Sequence, residues 1–227
     1  MKALLLMITL LWLGASPAGA QNVLLEASSQ MSLTTLQDLA APYFKTIPYH
    51  KSFSAFLQEV INDPDLQDKE VHRRTDSTFF HVSGNYQRFN PFIYRPTKVK
   101  VIIAESEFSY NDTTSYTDTV VYYQLLVTTD TTEKGKQFVQ KEYNRLLRKA
   151  GRTFTHQTYA LGKETSAAEG ELTNSFIAPF AVSPLTIAWG REATTQHYAF
   201  SFSLCMKVNE NRAGMVTLPQ EPIRTGK

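Results

Sequence analysis

Cysteine is nearly absent. The single Cys205 among 227 residues excludes an intramolecular disulfide, a C-x-x-C redox motif and a multi-thiolate zinc site. It sits inside an alternating strand pattern, so it reads as a small buried hydrophobe; a reactive thiol needs exposure and a positive neighbourhood. Glycine and proline number ten each, too few for a collagen-like or low-complexity chain. Neither charge sign dominates, with 23 Lys and Arg against 21 Asp and Glu. Such a balance gives no global drive toward nucleic acid or acidic lipid.

The common catalytic signatures are missing too. There is no G-x-S-x-G, no S-x-x-K with K-T-G, no H-E-x-x-H, no P-loop and no G-x-G-x-x-G, and nothing calls for a cofactor. The five histidines are His50, His72, His81, His156 and His197, and no two have metal-ligand spacing along one element. His72 and His81 can meet across a hairpin, but a metal needs a third ligand, and Arg73 and Arg74 oppose a cation. The loop Asn62–Asp68 lacks the glycine and terminal glutamate of a calcium loop and reads as a helix stop.

Long apolar runs occur only at the N-terminus. Lys2 is followed by eleven uncharged residues from Ala3 to Leu13, too short for a membrane span of ~20. Ala18-Gly19-Ala20 then offers a signal-peptidase site. Residues 1–20 therefore read as a signal peptide cleaved after Ala20, leaving no transmembrane helix. Its removal leaves 22 cations against 21 anions. Export combined with a single cysteine and one Asn-x-Thr sequon at Asn111 points to a bacterial periplasmic or secreted protein. The remainder reads as one globular domain over 21–208 and a poorly ordered tail over 209–227.

What is present favours strands: many threonines, 14 Phe and 11 Tyr. Two short helices open the domain. The first spans Ser32 to about Ala41. The second carries Phe53, Phe56, Leu57, Val60 and Ile61 at helical spacing, with Ser52 as cap. Strands follow at Glu70–Thr75 and Thr78–Tyr86, joined at Asp76-Ser77, then at Lys98–Tyr110 and Thr117–Thr129. This last strand is apolar on both alternating sets and reads as central and covered at least partly on both sides. Residues 132–150 form an amphipathic helix with Val139, Tyr143, Leu146, Leu147 and Ala150 on one stripe. Asp130 and Glu133 have capping-box spacing, and Gly151 suits the C′ position. The helix bears six cations, Lys134, Lys136, Lys141, Arg145, Arg148 and Lys149, a solvated face in the simplest reading.

Further strands are expected at Thr153–Leu161, Leu172–Phe176, Pro184–Trp189 and Gln196–Val208, with Gly162–Gly170 a polar loop. In the last strand Tyr198, Phe200, Phe202, Leu204, Met206 and Val208 point one way, and Ala199, Ser201, Ser203 and Cys205 the other. The small face suits either the packed helix 132–150 or a shallow ligand groove, and the helix is the first expectation. The fold class is α+β: a mostly antiparallel sheet of about six to eight strands packed against the long amphipathic helix 132–150, with the N-terminal helices at an edge or on the other face.

Two functional classes follow. The first is a non-catalytic exported binding protein with a protein or glycan partner at the envelope or cell surface. Its candidate binding residues are Arg88, Phe89, Phe92, Tyr94 and Arg95, in a proline-stiffened aromatic loop over 86–96. That loop also suits a strap plugging the core with Phe89, Phe92 and Ile93, which is the first expectation. The second class is a hydrolase acting on a glycan or ester, with Glu105 and Glu107 as acid–base carboxylates on one strand face.

Overall fold

A computed structural model describes residues 30–75, 78–110, 116–162, 167–177, 183–209, 211 and 213–219. Residues 1–20, expected to be a signal peptide, and the sequon Asn111-Asp112-Thr113 lie outside the described residues. Among these residues the fold is α+β, with three helices and a mostly antiparallel sheet of nine strands, one more than the expected upper bound. Helix α1 covers 30–40, α2 Phe53–Ile61 and α3 Glu133–Ala150. The strands are β1 Leu66–His72, β2 His81–Tyr86, β3 Lys98–Tyr110, β4 Tyr116–Thr128, β5 Thr155–Leu161, β6 Ala167–Phe176, β7 Leu185–Glu192, β8 Tyr198–Asn209 and β9 Met215–Thr217. Their spatial order is β1-β2-β3-β4-β8-β7-β6-β5, and β9 pairs with β8.

Four local expectations are corrected. Strand β1 begins at Leu66, four residues before Glu70, because Leu66 packs directly against Gly84 of β2: a Cβ there would lie 2.7 Å from Leu66 Cγ. The helix stop thus runs straight into a strand, through a bulge between Gln67 and Glu70. Strand β6 begins at Ala167 inside the expected polar loop, since a bulge lets Glu169 pair with Arg191 and reach Lys136. The cap of α3 is Thr132, whose Oγ1 accepts the Gly135 N–H at 3.2 Å. Asp130 stands outside the helix and accepts the Thr132 N–H at 3.0 Å, and Gly151 stays in the right-handed region rather than adopting a left-handed turn. Finally, the chain beyond Asn209 is not without order: β9 pairs Val216 with Val208, and Val216 and Leu218 are buried.

The larger correction concerns the two faces of the sheet. All three helices contribute to one core with Val101, Ile103, Tyr123, Leu125, Phe200 and Phe202. The aromatic contacts show the packing. Tyr43, just after α1, meets Phe202 edge-on at 5.3 Å, Phe56 of α2 meets Tyr123 at 4.9 Å, and Phe138 of α3 meets Phe92 at 5.1 Å. The helices therefore cover the large-residue face of β8, not the small one. A helix axis stands well off a sheet, and large side chains must fill that gap to reach interior packing density. On β4, Val121, Tyr123, Leu125 and Val127 are buried, while Tyr122, Gln124 and Leu126 on the other face are only half-buried. At one end of that second face Val120 and Cys205 are buried with Tyr122 against them.

Candidate functional site

The second face holds a shallow groove of about 270 Å³ across β4, β8, β7 and β6. Its floor follows from cross-strand register. Leu126 pairs with Ser201 and Ser201 with Ala188; Thr128 pairs with Ala199 and Ala199 with Gly190. Small side chains in adjacent strands leave a trough. Leu161 of β5 and Ala167 of β6 form its outer side, and Arg191, Glu192 and His197 its end. Gly190 keeps the trough open, because a Cβ there would sit 3.7 Å from Leu161 Cδ1 and 3.0 Å from the Glu169 carbonyl. Its neighbour Gly170 has φ of 152°, and a Cβ would meet the Trp189 carbonyl at 2.3 Å, so only glycine fits.

Beneath this end lies a charged cluster. Glu169 accepts from Lys136 Nζ at 3.0 Å and from Tyr198 Oη at 3.2 Å. The Lys136 hydrogen bond, opposed by partial burial, holds the Glu169 carboxyl below its usual value. Arg191 Nε stands 3.4 Å from Glu169 Oε1, yet that atom is buried and forms no hydrogen bond. Glu169 is thus a fixed anion engaged with structural cations, unsuited to shuttling a proton, and Arg191, in register with core-facing Tyr198, belongs to this cluster on the helix side of the sheet.

The loop 86–96 is placed as follows. Phe92 is buried against Tyr43, Phe138 and Phe200. Tyr94 stacks on Phe138 at 4.6 Å and donates to Asp130 Oδ2 at 3.0 Å. Phe89 packs half-buried on Tyr86, and its N–H donates to Asp65 Oδ2 at 2.8 Å. Arg88 and Arg95 are exposed. Three of the five candidates thus engage the protein's own core, as a strap does. Ile93, expected to plug that core, is instead fully exposed, because Asn90 closes a tight turn by accepting from the Phe92 N–H and donating to the Tyr94 carbonyl.

Glu105 and Glu107 lie toward the far end of β3. Glu105 accepts the Phe80 N–H at 3.1 Å and sits 3.4 Å from Arg74, and Glu107 is exposed. The rings of His72 and His81 do approach, to 6.1 Å, but among the described residues no group of three or more His, Cys, Asp and Glu could hold a metal ion. No helix among them is long and apolar enough to cross a membrane.

The alternation of β8 already separated Ala199 and Ser201 from the aromatic face, so half of the floor was visible in the sequence. Ala188 and Gly190 of β7 were not singled out. Their one signal is the same alternation, with Leu185, Ile187 and Trp189 on the opposite set. His197 joins the groove only through the β7–β8 turn and carries no sequence signal. Comparisons of this chain with protein-family models, curated proteins and solved structures find no match.

Proposed function

We propose that this chain is an exported binding protein, periplasmic or secreted, that engages a protein or glycan partner through the groove face of its sheet and carries out no chemistry of its own. The observation that carries the reading is the one-sided cover: three helices occupy the large-residue face, and the groove opens on the other. A trough with a small-residue floor and aliphatic sides suits an inserted apolar group, and His197 supplies a polar contact at its end. At about 270 Å³ it lies near the lower limit of ligand pockets, roughly 300 Å³. A single side chain or sugar ring of a larger partner fits that size better than a cofactor does. Support for export comes from the leader pattern of residues 1–20.

Groove filling tests the reading. The double change Ala188→Leu, Ala199→Leu should abolish crosslinking capture of partners from the exported fraction and leave the melting temperature within a few degrees. Arg88→Ala with Arg95→Ala, on the strap, should leave capture intact. The reverse pattern would move the site to the 86–96 loop, and capture unchanged in both variants would remove the groove from the function.

A further inference from the structure

The two edges of the sheet are treated differently. At one edge, β1 carries Asp68, Lys69 and Glu70, a bulge between Gln67 and Glu70, and a left-handed Asp68 with φ of 51°. Charge and irregularity of this kind block further strand pairing. At the other edge, β5 reads Thr-His-Gln-Thr-Tyr-Ala-Leu, with no Asp, Glu, Lys, Arg, Pro or Gly and unbroken register against β6. Among the described residues no strand pairs with its outer side. Its inward-leaning side chains are tied down: His156 Nδ1 lies 2.9 Å from Ser175 Oγ, and Thr158 Oγ1 2.8 Å from Thr173 Oγ1. These contacts tie β5 to β6 along its length and leave its outer backbone edge in regular register. Two exposed apolar groups stand beside it. Tyr159 is 45% exposed on β5 itself, and Met31 is 60% exposed one helical turn from Thr35, whose Oγ1 lies 3.1 Å from that of Thr153.

We propose that β5 pairs antiparallel with β5 of a second copy, about a twofold axis through Thr158 and perpendicular to the sheet. A neutral strand is complementary to itself, because no like charges oppose across the axis. This register sets Gln157 opposite the second copy's Tyr159, and Leu161 opposite its Thr155. Leu161 borders the groove, so the second copy's Thr155 completes the groove's outer rim. Antiparallel pairing keeps i and j on one face, so both grooves open on the same side of the joined sheet and present two sites to one partner surface.

Sedimentation analysis of the exported chain across a range of concentrations, with two double variants, decides this. The wild type should show a concentration-dependent dimer. Gln157→Lys with Tyr159→Lys sets like charges opposite twice and should weaken the dimer about tenfold. Gln157→Lys with Tyr159→Glu sets opposite charges in the same two places and should restore it. All three proteins are read alongside a melting temperature taken at the lowest concentration, where the monomer dominates; it should stay unchanged because both side chains are exposed in the single chain. A wild type that stays monomeric, including one that pairs only with an added extended peptide, overturns the proposal. So does a dimer indifferent to both variants, or a Lys–Glu variant that fails to recover, since either places the contact elsewhere or in another register.

Discussion

At the residue scale Asp65 shows how one side chain fixes a long connection. It follows α2 by four positions, yet its carboxylate accepts the N–H groups of Arg88 and Phe89 at 2.9 and 2.8 Å, and Lys45 stands 3.6 Å away. Burial pushes its pKa up, but the two backbone hydrogen bonds and Lys45 together outweigh that and lower it. A carboxyl whose folded pKa is depressed contributes stability that is complete above the unfolded value of ~3.9 and disappears as pH falls through the folded value. Asp65→Asn should therefore destabilise the protein at pH 7, with denaturant melts showing the gap to wild type constant down to about pH 5 and closing below about pH 4. A gap that persists to pH 2 would mean the charge does not hold the strap. Nothing in the sequence marked Asp65 for this, because its partners lie more than twenty positions away and an acidic loop reads locally as a helix stop.

At the element scale α3 was the most legible part of the chain, because its apolar stripe repeats at helical period and its residues need only one partner surface. Phe138, Val139, Tyr143, Leu146 and Ala150 are all buried. Leu146→Ala should cost ~2–5 kcal/mol, and exposed Lys141→Ala less than ~0.5 kcal/mol; equal losses in denaturant melts would contradict the docking. The ends of the helix were less legible. Asp130 and Thr132 are both good caps, and their roles are separated by the bonds Asp130 accepts from the Thr132 N–H and from Tyr94 Oη. Polar contacts on the flank of the stripe were invisible for the same reason. Tyr43 Oη donates to Glu142 Oε2 at 2.9 Å, and Arg145 bonds the same carboxylate at 2.6 Å, fastening α3 to the chain after α1. In the sequence Arg145 reads only as one of the helix's surface cations, and its pairing with Glu142 gains a tertiary role only through Tyr43.

At the scale of the whole molecule, alternation in β8 and β4 sorts residues into two sets but says nothing about which set the helices take. The small set admits close approach, which made it the natural bed for a helix in the sequence. Volume decides otherwise: Tyr43, Phe44 and Phe56 need aromatic partners to pack against, and Phe200, Phe202 and Tyr123 supply them. Adjacent residues of β8 test the assignment. Phe200 is fully buried among the helices, so Phe200→Ala should cost ~3–5 kcal/mol through transfer and cavity terms. Ala199, one position away, faces the groove. If a helix lay over it, Ala199→Leu would overpack the layer and cost ~1–3 kcal/mol. On an open face the added methyl groups have room, and the cost should stay below ~0.5 kcal/mol. Urea melts of the two single variants therefore read the cover of each face separately. Comparable losses at 199 and 200 would mean that both faces are packed, leaving no groove in solution for a partner to enter.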